Sequence, residues 1–230
     1  MELKRANHPF RFVTQANLVE LTGVRARDAR ELLDYLKTAS GAVVYHHTHH
    51  FLKQHHFLSP EPPNDFAYWV TNVLNEDKLG EQLAAIDTVR FSSINSLQGK
   101  LVLTLENFLS SRKHLRVAPD GEEFHFMKSK SFFLPTPYEA SNLDEFHERI
   151  TKVSIHSLYH HMFEARMRLG RETNDFSFWL ENELGEKDLA KSIKQIDPYT
   201  HTLEGLRQRI LQLTIRRIEN LNREAAHASR

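Results

Sequence analysis

Histidine is the residue type that this sequence uses most unusually. The chain has fifteen histidines among its 230 residues, and six of them lie between His46 and His56. A neutral imidazole is a common ligand for transition metals, and an unperturbed imidazole changes its charge at about pH 6.5. The block of histidines could therefore bind a metal ion or respond to acidification.

The spacing of these histidines suits a metal site in part. His46 and His50 lie four residues apart, which places them on one face of a helix. The candidate ligands are His46, His47, His49, His50, His160, His161 and Glu164. The expected ion is a transition metal, zinc or iron. Because the sequence has no HExxH or CxxC motif, an alternative stays open, in which the histidines form a hydrated helix face with stacked imidazoles.

The same short motifs recur in the second half of the chain. Tyr45-His46-His47 returns as Tyr159-His160-His161, and Asn64-Asp65-Phe66 returns as Asn174-Asp175-Phe176. An internal copy predicts two tandem homologous helical lobes related by a pseudo-twofold axis. A site near the interface of the two repeats would then use the duplicated histidines.

The duplication of the histidine block is only partial. His49 aligns with Phe163, so the duplicated histidines are those of the two Tyr-His-His elements. If the site is symmetric, those four imidazoles are its candidates. If it is asymmetric, the additional imidazoles of the first copy form it, and the second copy supports the fold.

The Asn-Asp pairs at Asn64-Asp65 and Asn174-Asp175 each stand before an apolar segment. An amide or carboxylate at a helix N-terminus satisfies free backbone N–H groups and typically stabilises the helix by about 1 kcal/mol. We interpret both pairs as helix caps. In the alternative interpretation, the two aspartates orient a histidine or act as acid–base groups.

Most of each repeat has the periodicity of a helix. Residues 26–38 place Ala29, Leu32, Leu33 and Leu36 three and four positions apart, which predicts a helix with an apolar stripe. We expect similar leucine, phenylalanine and tryptophan faces to pack the lobes.

Two aromatic triplets alternate as short strands do. They are Phe10-Arg11-Phe12 and Phe124-His125-Phe126, and they indicate a short strand pair in an otherwise helical chain. The predicted fold is therefore mainly α, with the first helical repeat at residues 1–115 and the second at residues 116–230.

Composition excludes several classes of protein. Thirty basic and thirty acidic residues cancel, so we expect no nucleic-acid partner. No apolar run approaches the roughly 20 residues that a membrane span needs. The absence of cysteine excludes disulfides and thiolate ligands and favours a cytoplasmic protein. Composition does not indicate the oligomeric state.

The chain also resembles an uncharacterised prokaryotic family of unknown function, at the segments YHHTHHFLKQHHFLSPEPPNDFAYWV and NDFSFWLENELGE. The resemblance covers nearly the whole length and rests on the Tyr-His and Asn-Asp-Phe-x-x-Trp elements. It implies a recurring helical module, and it supplies neither an activity nor functional residues.

Three functional hypotheses follow. The first is a non-catalytic helical binding or scaffold module with a protein partner, favoured because the sequence contains no recognised catalytic motif. The second is a histidine-rich metal-binding protein or metalloenzyme. The third is a pH-responsive assembly switch that uses the same imidazoles. Whether the protein is an enzyme stays open at this level.

Overall fold

The computed structural model describes residues 4–53, 64–112, 114–164, 173–197 and 200–228. Over these ranges the chain is mainly α-helical and contains one two-stranded antiparallel sheet. The predicted fold class and its strand pair are confirmed. Every helix in these ranges is too short or too polar to cross a lipid bilayer.

Helices and strands follow one another in nearly the same order twice. The first series is β1 Phe10–Ala26, α1 Ala29–Leu36, α2 Gly41–Lys53, α3 Asp65–Asn72, α4 Asp77–Ala84, a 3₁₀ turn at Thr88–Arg90, and α5 Ile94–Ser110. The second series is β2 Phe124–Ala140, α6 Leu143–Lys152, α7 Ile155–Tyr159, a π-helical turn at His160–Glu164, α8 Asp175–Asn182, α9 Lys187–Lys194 and α10 Leu203–Ala228. Each series is one long strand followed by helices.

The chain forms two compact units. Among the described residues, unit 1 comprises residues 4–16 and 132–228, and unit 2 comprises residues 17–53 and 64–131. Each strand therefore contributes residues to both units. The expected boundary between two sequence repeats is a separate matter and stays a prediction.

Both strands are longer than the aromatic triplets that predicted them. Phe10 and Phe12 are buried on either side of an exposed residue, as expected of a half-buried strand. In unit 1 the Thr136 hydroxyl donates a hydrogen bond to the carbonyl of Phe12 at 2.7 Å. In unit 2 the Thr22 hydroxyl does the same to the carbonyl of Phe126 at 2.7 Å. The paired strands are 17 residues long each, and both therefore continue well beyond the triplets.

Helix α1 forms where its apolar stripe predicted a helix. Ala29, Leu32, Leu33 and Leu36 are all buried in the core of unit 2. The Asp28 side chain caps the helix by accepting hydrogen bonds from two backbone N–H groups of its first turn. The cap fixes where α1 begins after β1, and the stripe fixes which face packs inward.

The asparagines of the duplicated Asn-Asp pairs are helix caps, as predicted. The Asn64 side chain accepts a hydrogen bond from the N–H of Ala67 at 2.8 Å. The Asn174 side chain accepts one from the N–H of Ser177 at 2.7 Å. The caps place the following aspartates in the first turns of α3 and α8.

Candidate functional site

His47 of α2 uses both of its ring nitrogens within unit 2. Its Nδ1 lies 2.8 Å from Oδ2 of Asp65, and its Nε2 accepts a hydrogen bond from the backbone N–H of Met127 at 2.9 Å. Because a backbone N–H can only donate, Nε2 must carry the lone pair and Nδ1 the proton. The imidazole therefore connects the start of α3 to β2.

His161 makes the same two hydrogen bonds within unit 1. Its Nδ1 lies 2.8 Å from Oδ2 of Asp175, and its Nε2 accepts from the backbone N–H of Val13 at 2.9 Å. The same reasoning places the ring proton on Nδ1. We call each of these Asp–His–backbone arrangements a histidine strut.

Aromatic rings surround both struts. The His47 ring centroid lies 4.7 Å from that of Phe124 and 5.3 Å from that of Phe66. The His161 ring centroid lies 4.9 Å from that of Phe10. The two imidazoles are only 2% and 3% exposed, so they belong to the interior and not to a hydrated helix face.

The other described histidines of α2 also lie in the interior. Nδ1 of His46 is 2.8 Å from the hydroxyl of Ser129 on β2. Nδ1 of His49 is 2.7 Å from the hydroxyl of Thr48, and the His49 ring stacks on Tyr45 with centroids 5.1 Å apart. These contacts also contradict the interpretation of the block as a hydrated face.

The π-helical turn of unit 1 holds a chain of buried polar groups. Glu164 Oε2 accepts from Nδ1 of His160 at 3.1 Å, and Oε1 accepts from Nε2 of Gln15 at 2.6 Å. His160 is 0% exposed, and Glu164 and Gln15 are each 5% exposed. Among the described residues, His160 Nε2 has no hydrogen-bond partner. Single π-helical turns occur frequently at functional sites.

The structure brings four of the seven predicted ligands into two groups, each of which also contains an aspartate. They are His46, His47 and Asp65 in unit 2, and His160, His161 and Asp175 in unit 1, with candidate ligand atoms within 4.8 Å of one another in each group. However, a cation bound at Nε2 of His47 or His161 would have to displace a strand N–H group. The side chain of His50 lies outside the described residues. Metal binding stays a prediction, which the geometry favours least at the two struts.

Sequence reasoning did not single out Gln15 and Ser129. The two residues align at the separation that relates the Tyr-His-His elements. Each contacts the polar group of its own unit, Gln15 through Glu164 and Ser129 through His46. The available signal was a polar residue at an equivalent position of both strands.

His147 of α6 is a further histidine with a supporting role. Its Nδ1 lies 2.7 Å from the hydroxyl of Thr214 on α10. Burial lowers the pKa of His147, and the nearby Asp144 carboxylate opposes that effect in part. The lowered pKa favours the uncharged ring in the folded protein.

A family model described as a family of unknown function, DUF5752, matches residues 7–215. The chain belongs to this family. The match confirms the resemblance that the Tyr-His and Asn-Asp-Phe-x-x-Trp elements indicated. A search of curated proteins finds no match.

A solved structure has the same fold over nearly its whole length. It is that of OrfY from Thermoproteus tenax, with 29% sequence identity, a TM-score of 0.80, and coverage of 93% of this chain and 97% of that chain. Neither this similarity nor the family description names an activity.

Proposed function

We propose that the protein is a non-catalytic helical binding module. Its binding surface is residues 17–22 of β1 in unit 2, which we call the outer part of β1. The observation that carries the proposal is the exposure of three large apolar side chains there: Leu18 at 52%, Val19 at 40% and Leu21 at 72%. Successive strand residues point to opposite faces, so Leu18 is exposed on one face and the other two on the opposite face. Exposed apolar side chains that lie close together can mark an interaction site, and Val19 and Leu21 are neighbours on one face.

This part of β1 also offers an open backbone edge. The sheet has two strands within the described residues, so β1 has an outer edge that a third strand could extend. The matching outer half of β2 carries Pro135 and Pro137, which have no N–H to donate. Residues 17–22 contain no proline. The edge of β1 is therefore the better template.

The occupant that fits this surface is an extended apolar segment of another protein. Backbone hydrogen bonds would add it beside β1, and Leu18, Val19 and Leu21 would contact its side chains. The carboxylate of Glu20 lies 2.8 Å from the Lys128 ammonium, which neutralises its charge within the two-stranded ribbon that β1 and β2 form. It therefore does not oppose an apolar partner.

The engaged histidines support a non-catalytic role. Catalytic or metal-binding imidazoles need a ring nitrogen available to the reacting group or ion. In both His47 and His161, the two ring nitrogens form hydrogen bonds with protein groups. His47 and His161 therefore stabilise the fold, and we look for the binding function in side chains on the protein surface.

The double variant Leu18→Lys/Leu21→Lys tests this proposal. We expect it to keep the wild-type melting temperature, because both side chains are exposed, and to lose the protein partner that the wild type retains on affinity purification. With the purified partner, we expect binding to weaken by about a hundredfold, as for loss of a central apolar contact. Amide hydrogen exchange at residues 17–22 should slow in the complex.

Leu103→Lys is the matched control, since Leu103 is 50% exposed on α5 of the same unit. It should bind the partner as the wild type does. The proposal is wrong if the double variant binds equally well, or if residues 17–22 exchange at the same rate in the complex. A wild-type dimer that the double variant dissolves would assign the edge to a second copy, and would also contradict the proposal.

We further infer that the two halves arose from one duplicated segment. Equivalent hydrogen bonds in the two halves support this inference in addition to the recurring sequence motifs. Trp69 Nε1 donates to the carbonyl of Glu122 at 2.8 Å, and Trp179 Nε1 donates to the carbonyl of His8 at 2.9 Å. All four residues align in pairs, as do the members of the two histidine struts. The pseudo-twofold arrangement of the halves stays a prediction.

Metal binding at His160 is the second candidate function. The Glu164 carboxylate accepts from Nδ1, which leaves the lone pair on the buried Nε2. A carboxylate-oriented imidazole is the usual form of a metal-ligating histidine. Elemental analysis of untagged wild type and His160→Ala tests this. Binding requires near-stoichiometric metal that the variant loses, and less than about a tenth of an equivalent in the wild type would end the hypothesis.

A pH-responsive assembly switch would change the sedimenting mass between pH values below and above the ordinary histidine pKa. An unchanged mass would remove it. A cytoplasmic location and the absence of a nucleic-acid partner likewise stay predictions.

A further inference from the structure

A cleft of about 620 Å³ lies beside α8 and α9 in unit 1. Lys187, Lys191 and Lys194 line it from one face of α9, at spacings of four and three residues. All three are exposed, and none has an ion-pair partner within the part of the chain that the structure describes. The cleft therefore presents three ammonium groups to solvent.

The lysines are not a requirement of the shared fold. The aligned positions on α4 of unit 2 are Asp77, Glu81 and Ala84. Two positions thus have the opposite charge on a helix of the same length and place in the series. Of the two aligned helices, only α9 of unit 1 has this positively charged face.

Ser177 of α8 supplies a second, independent observation. It is 2% exposed, it lines the same cleft, and its hydroxyl has no hydrogen-bond partner among the described residues. The aligned residue in unit 2 is Ala67, so the fold does not need the hydroxyl. A buried hydroxyl that can still donate suits a ligand oxygen.

The remaining lining residues limit the kind of ligand. The carboxylates of Glu181 and Asp188 also line the cleft, so the three lysines leave a single excess positive charge. The Phe178 ring is 40% exposed and gives the cleft an apolar wall. This combination fits one anionic group attached to an apolar body, and disfavours a densely charged polyanion.

We propose that this cleft binds a small organic anion. Its phosphate or carboxylate group lies among Lys187, Lys191 and Lys194 and accepts a hydrogen bond from the Ser177 hydroxyl. Its apolar body packs on Phe178. Lysines bind such groups as point charges, and a buried hydroxyl donor adds direction.

Isothermal titration of the full-length protein with phenyl phosphate and with benzoate tests the proposal and distinguishes the two anionic groups. We expect at least one of them to bind with a Kd of about 1 mM or below. Lys191→Glu, which introduces the charge of Glu81, should weaken that binding by about tenfold or more. Ser177→Ala, which introduces the side chain of Ala67, should weaken it by about threefold to tenfold.

Lys100→Glu is the control, because Lys100 is an exposed lysine of α5 in unit 2 and lines a different cleft. It should leave the Kd unchanged. If Lys191→Glu lowers the melting temperature, Lys191→Gln replaces it and should weaken binding in the same direction. The proposal is overturned if neither probe binds, if Lys100→Glu weakens binding equally, or if Ser177→Ala and the Lys191 variant bind like the wild type. It is also overturned if inorganic phosphate or benzyl alcohol binds as tightly as the better probe.

Discussion

The histidine strut shows how one buried side chain can join three parts of a unit. His47 donates to the carboxylate of Asp65 and accepts from the backbone of Met127. Without the imidazole, a backbone N–H and a partly buried carboxylate would both lose a partner. An unsatisfied buried polar group lowers the stability of the fold by about 1–3 kcal/mol. Loss of the strut would leave such groups without a partner, so it would cost more stability than either hydrogen bond contributes alone.

Replacement of His47 by alanine should therefore destabilise the protein clearly. We expect His47→Ala to lower the free energy of unfolding by about 2–4 kcal/mol, from the lost hydrogen bonds and the cavity among Phe66 and Phe124. Urea unfolding followed by circular dichroism measures this loss. His125→Ala is the control, since His125 is an exposed histidine on β2, and its effect should stay within about 0.5 kcal/mol. A loss below about 1 kcal/mol for His47→Ala would show that the strut is not structural.

At the scale of elements, the last helix of each series completes the helix that follows its strand. Arg207 of α10 donates through Nη1 to the carbonyls of Ile150 and Val153 at 2.6 and 2.7 Å. Gln98 of α5 donates in the same way to the carbonyl of Leu36, the last residue of α1, and to that of Ala39 just beyond it. The last carbonyls of a helix have no partner within it, so a side chain from another helix satisfies them. The guanidinium of Arg207 in unit 1 and the amide of Gln98 in unit 2 thus satisfy carbonyls at equivalent helix ends.

The helices could be predicted from the sequence, but the length of the ribbon could not. Apolar residues three and four apart marked α1, and asparagine caps marked the starts of α3 and α8. The strands were predicted only as aromatic triplets, because the regular alternation of buried and exposed positions is interrupted directly after each triplet. Val19 and Leu21 are exposed where a strand packed on a core would bury them. The neighbouring residues Leu18 and Val19 are both exposed, so the outer part of β1 breaks the alternation at this point.

The sequence drew attention to His47 and His161 through the recurring Tyr-His-His motif, but it did not predict the hydrogen bonds that these two histidines make. Their backbone partners lie 80 and 148 residues away in sequence, at Met127 and Val13. Which strand reaches which histidine depends on the topology, and local spacing contains no information about it. The sequence therefore left a metal site open as an alternative at two histidines whose ring nitrogens both bind protein groups in the fold.

At the scale of the whole molecule, each of the two strands belongs partly to one unit and partly to the other. Both β1 and β2 contribute residues to unit 1 and to unit 2. Unfolding of either unit would release the ends of the strand segments that the other unit uses. We therefore expect a single cooperative unfolding transition, although the units have separate cores.

The two tryptophans provide a direct test of this cooperativity. Trp69 lies in unit 2 and Trp179 in unit 1, at 5% and 6% exposure, and the chain has no other tryptophan. Each can be made the only fluorescent reporter by changing the other to phenylalanine. In both single-tryptophan proteins, we expect His47→Ala to lower the urea midpoint by the same amount relative to its own parent, although His47 lies in unit 2.

His161→Ala is the reciprocal perturbation, because it removes the strut of unit 1. If the strands couple the units, it should also shift both reporters equally. If the units unfold independently, His47→Ala should move only the Trp69 transition, and His161→Ala only the Trp179 transition. That crossed pattern would contradict the coupling and would show that each unit keeps its own strand segments after the other has unfolded. Equal shifts in all four proteins would mean that a strut in one unit stabilises the entire chain through the shared ribbon.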